Sequence, residues 1–198
     1  MSRLRELFRP QKKIIWKKLC EEIQADFIPA KGVLGHDRIQ AYHQNWTIII
    51  ETFKRGKVTC TRIKAPYVNR DSFYFRIYRQ NIFHSIGKLA GLQDIEVGHQ
   101  GFDKDFIIQG NDNQKLRSLF NNELIRDIIS WQPMIDLKIN VDDNWLTDPF
   151  GEGVSELSFE VNGIISDLQR LKDLYELFAE LLNHLCHIGS AYEDDPLL

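Results

Sequence analysis

Apolar residues recur along this chain with two periods, and the change from one to the other marks out its elements. Ile15, Trp16, Leu19, Cys20 and Ile23 fall at three- and four-residue spacing, which predicts a helix over 11–24. Pro10 suits the first turn of that helix, where a missing N–H has no bond to lose. Pro29 ends a short extended piece. Alternation then takes over. Segments 46–53 and 57–64 are rich in β-branched residues and predict a hairpin, with Lys54-Arg55-Gly56 as a three-residue loop and glycine at its left-handed position. That register sets Ile48, Ile50, Val58 and Cys60 on one face, and Glu51, Thr59 and Thr61 on the other. Segment 72–79 predicts a further strand, with Phe73, Phe75 and Ile77 opposite Tyr74, Arg76 and Tyr78; 38–43 predicts a weaker one. Segment 81–92, which holds Gly87 and Gly91, reads as a short helix or a lid-like connector.

The second half mixes the two periods. Segments 106–109, 137–141 and 156–161 read as strands. Asn111 or Asp112 caps a helix holding Leu116, Leu119 and Phe120. Asn121 or Asn122 caps another, with Leu124, Ile125, Ile128 and Ile129, which Pro133 closes. The final helix, 166–187, is marked by four-three spacing through Ile164, Leu168, Leu171, Tyr175, Phe178, Leu182 and Leu185. Leu174, Leu177 and Leu181 widen the stripe, so two of its faces are apolar, and Gly189 stops it. The acidic tail 193–195 is expected to fray. At an offset of 55, Asp112, Lys115, Leu116, Arg117, Leu119 and Phe120 are echoed by Asp167, Arg170, Leu171, Lys172, Leu174 and Tyr175, either as two amphipathic helices of like design or as a duplicated β-α unit.

This order of elements predicts an α+β fold: a curved antiparallel sheet packed against the long C-terminal helix and two middle helices. Hairpins rather than helices join the early strands, which disfavours a parallel, doubly wound sheet. Residues 1–198 read as a single domain with a soft joint near 92–102.

The run Asp94-Ile-Glu-Val-Gly98, then Phe102-Asp-Lys-Asp-Phe-Ile-Ile-Gln-Gly-Asn-Asp112, then Leu119-Phe120 and Ile125-Arg126, resembles an uncharacterised bacterial domain-of-unknown-function family. In that family a Phe-Asp-x-x-Phe strand leads through a Gly/Ser-x-Asp turn to a helix with paired apolar residues. The resemblance covers about 40 residues well and implies no activity, so no residue takes a role from it.

Composition narrows the class. With 43% apolar and 27% charged residues, the chain is an ordinary globular one, which excludes disorder, collagen and low-complexity repeats. No apolar run approaches the roughly 18 residues of a membrane span, and the first 19 residues lack the apolar stretch of a secretory signal. Cys20, Cys60 and Cys186 lie far apart with no C-x-x-C, which suits a reducing compartment and a cytoplasmic protein.

Charge is the strongest asymmetry. Residues 52–92 hold nine Lys/Arg and one acid, whereas 93–198 hold seven Lys/Arg and 21 acids. Either the two parts face each other, within one chain or between copies, or the basic part meets an anionic partner. The candidate anion-binding residues are Lys54, Arg55, Lys57, Arg62, Lys64, Arg76 and Arg79. Around two of them, 70–79 interleaves Phe73, Tyr74, Phe75 and Tyr78 with arginines, as surfaces for single-stranded nucleic acid do. The same Tyr-Arg-Tyr face also suits plain cross-strand packing against Glu51 and Thr61. The N-terminal helix, with Lys12, Lys13, Lys17, Lys18 and Trp16, has the make-up of a membrane-surface helix, and equally of one docked on a sheet.

Other chemistry finds less support. Asp94, Glu96, Asp103, Asp105 and Asp112 lack the glycine and distal glutamate of a calcium loop; Asp103 is expected to start a turn and Asp112 to cap a helix. His184 and His187 share a helix face, but a structural zinc needs four ligands and Cys186 points elsewhere. No phosphate loop and no G-x-S-x-G occurs, so no cofactor or metal is assigned. The sequence therefore reads as a non-enzymatic binding or protein-interaction module of unknown ligand. The alternatives are an anion binder for nucleic acid or anionic lipid through 52–88, and an enzyme whose carboxylates are dispersed.

Overall fold

The structure is a computed structural model. It describes residues 3–30, 35–80, 94–140 and 153–192, with side chains for all of these except 3–10 and 140. The first element is α1 (Arg3–Ile23), followed by β1 (Asp26–Ile28), β2 (Arg38–His43), β3 (Trp46–Arg55), β4 (Val58–Val68) and β5 (Phe75–Arg79). Then come α2 (Gln100–Asp105), β6 (Phe106–Gly110), α3 (Asn113–Phe120), α4 (Glu123–Trp131), β7 (Asp136–Asn140), β8 (Val154–Asn162) and α5 (Leu168–His187). The strands form one open sheet in the order β1-β2-β3-β4-β8-β7-β5-β6. Every pairing in it is antiparallel, as the hairpin-linked early strands require.

One face of this sheet carries the core. Ile39, Ile48, Ile50, Ile63, Tyr67, Phe75, Ile77, Ile108, Leu137, Leu157 and Phe159 form a single buried cluster with residues from all five helices. The final helix is its centre. Leu171, Leu174, Leu177, Phe178, Leu181, Leu182 and Leu185 are fully buried, so both apolar faces of its stripe are used. Helix α1 packs against α5 and places Trp16 in the core, where the indole N–H donates to the Ile165 carbonyl at 3.2 Å. The two echoed helices share a capping device: Asp112 accepts from the Lys115 amide at 3.0 Å and Asp167 from the Arg170 amide at 2.7 Å. Of the two asparagines offered for α4, Asn122 is the cap.

Several boundaries differ from the sequence reading. Helix α1 starts at Arg3, so Pro10 lies inside it rather than in its first turn. The β3–β4 hairpin is tighter than predicted. Arg55 pairs with Val58 across Gly56 and Lys57, and Gly56 takes φ +60°. Losing one loop residue flips the face of everything that follows. Val58 and Cys60 therefore share a face with Glu51, while Thr59 and Thr61 lie with Ile48 and Ile50. Asp103, expected to start a turn, lies inside α2. Its carboxylate accepts from the Val97 amide at 2.9 Å and the Gly98 amide at 3.0 Å. Segment 81–92, the tail 193–195, and the start of the soft joint at 92–93 lie outside the described residues.

At Gly110 the fold needs the smallest residue. A Cβ there would stand 2.6 Å from the Tyr74 carbonyl oxygen and 2.9 Å from a Leu116 methyl. This close approach lets β6 meet both β5 and α3.

Candidate functional site

With the core on one side, the other face of the sheet gathers the charged residues. Register sets Arg38, Glu51, Arg62 and Glu160 side by side on β2, β3, β4 and β8. Cation and carboxylate alternate along that row, the arrangement that favours cross-strand pairs. Arg62 donates to Glu51 through Nε at 2.9 Å and stands 4.0 Å from Glu160. Arg55 also pairs with Glu160. Lys64 lies 3.6 Å from Glu51 and 3.8 Å from Glu156. Phe53 sits between two of the cations, its ring 4.9 Å from the Arg62 guanidinium and 5.5 Å from that of Arg55. Further along, Arg76 grips Asp136 with two parallel bonds of 2.8 and 2.9 Å.

The seven candidate anion-binding residues thus fall into three groups. Arg55, Arg62, Lys64 and Arg76 are paired to carboxylates of the sheet. Arg79 turns away and donates to the Gln132 and Ser130 carbonyls at the end of α4, at 2.9 and 2.6 Å. Lys54 and Lys57 stand exposed at the hairpin tip beside Arg55. Of the aromatic residues on 70–79, Phe73, Phe75 and Tyr78 are buried and Tyr74 is half-buried. Strand β5 lies between β7 and β6, so the partner of Arg76 is Asp136 rather than Glu51 or Thr61.

Sequence reasoning missed three carboxylates, Asp136, Glu156 and Glu160, and set Glu51 against the wrong strand. Arg62 and Glu160 are brought together only by the β4–β8 pairing, and no local spacing announces it. The clue that was present is the acidic surplus of the second half.

Burial pushes the Glu156 carboxyl above its ordinary value. Lys64 and Arg62 pull it back, and Glu51 and Glu160 push it further up. The folded chain therefore holds that proton more tightly than the unfolded chain does. Stability from this group is complete below the unfolded pKa and is lost as pH rises through the folded one. Glu156→Gln is accordingly expected to match the parent in thermal melts below about pH 4 and to melt higher at about pH 7. A variant that melts lower at the neutral point would mean that the Lys64 pair outweighs burial.

Other clusters are structural. Asp71, Lys115 and Ser190 meet, with Lys115 Nζ 2.8 Å from Ser190 Oγ. Ser190 is fully buried, so its hydroxyl is closed to a substrate. The cluster ties the residues that follow α5 to the turn at 69–74, beside the Asn69–Ala191 bridge. The His184 and His187 rings lie 5.6 Å apart. Burial and the neighbouring His187 hold His184 below its ordinary value. Among the described residues no group of three His, Cys, Asp or Glu is placed to hold a metal ion. On α1, Trp16 is buried and Lys12 reaches inward to Thr52 Oγ1 at 3.1 Å. These two residues of the predicted membrane-facing set therefore face the sheet. Among the described residues no helix is long and apolar enough to cross a membrane.

The sequence matches no family model and no curated protein. Among solved structures the fold is similar to the crystal structure of the mycobacterial trehalose monomycolate transport factor A, TtfA. The TM-score is 0.53 at 8% identity, and the match covers 89% of this chain and 96% of that one. At that identity the likeness establishes a shared α+β architecture.

Proposed function

We propose that this chain is a non-enzymatic module that binds another protein across the outer face of its sheet. The observation behind this reading is the self-paired charge row Arg38–Glu51–Arg62–Glu160 with its neighbours Lys64 and Glu156. A polyanion is captured by a surplus of unpaired cations that release counterions. A face whose charges already meet one another selects a partner by where each charge stands, which suits a mixed-charge protein surface. The transport-factor description of the structural neighbour is in keeping with a binding role. The cysteines form no disulfide, in keeping with a reducing, cytoplasmic setting. On its Phe-Asp-x-x-Phe segment we assign the chain to the uncharacterised bacterial family it resembles.

A second reading, anion binding, draws on the exposed hairpin tip where Lys54, Arg55 and Lys57 stand together. One experiment separates the two. A photo-crosslinking amino acid is placed at Ile49 or Val58 on the outer face, and at the exposed Glu176 of α5 as control. The expected result is a protein adduct of one mass from the outer positions alone, with heparin binding weak and lost at moderate salt. Tight heparin binding that disappears in a Lys54→Gln/Lys57→Gln variant, with no protein adduct, would replace the first reading by the second.

A further inference from the structure

We infer that Lys138 is the anchoring cation of this outer face and takes a carboxylate from an acidic segment of the partner protein. The inference rests on the interaction reading above and adds to it a residue and a ligand chemistry.

Register places Lys64, Ser158, Lys138, Arg76 and Gln109 in one row across β4, β8, β7, β5 and β6. Lys138 and Arg76 are direct cross-strand partners. Like charges opposite each other in a sheet repel, whereas an acid in one of the two positions stabilises the pair. Here the local carboxylates are already engaged. Both oxygens of Asp136 hold Arg76. Glu51 and Glu156 pair with Lys64, and Glu160 pairs with Arg55 and Arg62. Lys138 is half-buried, and among the described residues its side chain has no hydrogen-bond or ion-pair partner. The sheet therefore keeps a half-buried lysine beside a second cation, with no counter-charge of its own among the described residues. Folding gains nothing from that arrangement, whereas an incoming anion does.

The surroundings select the anion. Asp136 already neutralises the charge of Arg76, so the Lys138 ammonium is the cation of this pair left to be met, and Lys acts as a point charge rather than a fork. Asp136 lies two residues from Lys138 on the same strand, and Glu156 and Glu160 lie two residues either side of its partner Ser158. These acids repel a phosphate dianion more strongly than a singly charged carboxylate. A segment carrying Asp or Glu side chains meets both conditions.

The test uses the full chain and fluorescently labelled hexaglutamate, followed by anisotropy at low salt. Lys138→Gln is expected to weaken binding about tenfold, while Lys54→Gln leaves it unchanged and Lys138→Arg retains most of it. Thermal melts should show Lys138→Gln at least as stable as the parent, since it removes one member of a like-charge pair. Unchanged hexaglutamate affinity in Lys138→Gln, or no hexaglutamate binding by the parent, would overturn the assignment. So would a Lys138-dependent preference for oligothymidylate or phosphatidylglycerol vesicles. If photo-adducts still form on the outer face in those cases, the interaction reading stands and only the anchor falls. Lys138-dependent hexaglutamate binding without any photo-adduct supports the anchor and counts against the interaction reading.

Discussion

Truncating Phe178 to alanine is expected to lower stability by about 3–5 kcal/mol. Phe178 lies in the middle of α5 with none of its surface exposed, between Leu174, Leu181 and Leu182, which are equally buried. Helix α5 also packs against α1, α3 and α4, so little around the site is free to collapse into a cavity. The lost ring removes transfer free energy and leaves a void whose lining loses its contacts outright. For a chain of this length each kcal/mol corresponds to about 2–4 °C, so the thermal midpoint should fall by about 10 °C. Denaturant titration checks the result, with the midpoint shifted and the slope retained. A loss below about 1 kcal/mol would remove α5 from the centre of the core.

The second large effect concerns the outer face. Asp136→Asn should cost about 3 kcal/mol, because it withdraws the carboxylate from Arg76 and leaves two cations opposite each other. The Arg76 and Asp136 side chains are only 16% and 20% exposed, so water replaces the lost partner poorly. Adding Lys138→Gln to that background should recover part of the loss, and the shortfall from additivity measures the repulsion between Arg76 and Lys138. Strict additivity of the two changes would mean that these cations do not interact. Salt should change the Asp136→Asn penalty little, since the pair is mostly withdrawn from solvent.

What the sequence determined by itself was local. The four-three spacing in 168–185 sufficed for α5, because a two-sided apolar stripe has no stable place except inside a core. Alternation sufficed for β5, and short polar residues before apolar runs narrowed two caps to the pairs Asn111/Asp112 and Asn121/Asn122, of which Asp112 and Asn122 cap, while the Asp167 cap went unread. The antiparallel α+β class followed from hairpins that cannot make parallel neighbours. Register was less secure. One residue too many in the β3–β4 loop put Cys60 and Val58 on the wrong face, since side chains in a strand alternate with period two. Only tertiary structure decided that β8 inserts beside β4 and that β7 bridges it to β5. Those two pairings bring Glu156, Glu160 and Asp136 from the acidic half against Lys64, Arg62 and Arg76 of the basic half. The same pairings leave Lys138 facing Arg76. Composition announces that opposite charges exist in the two halves; which of them meet depends on strand order, and strand order is set by burial of the apolar face on the other side of the sheet.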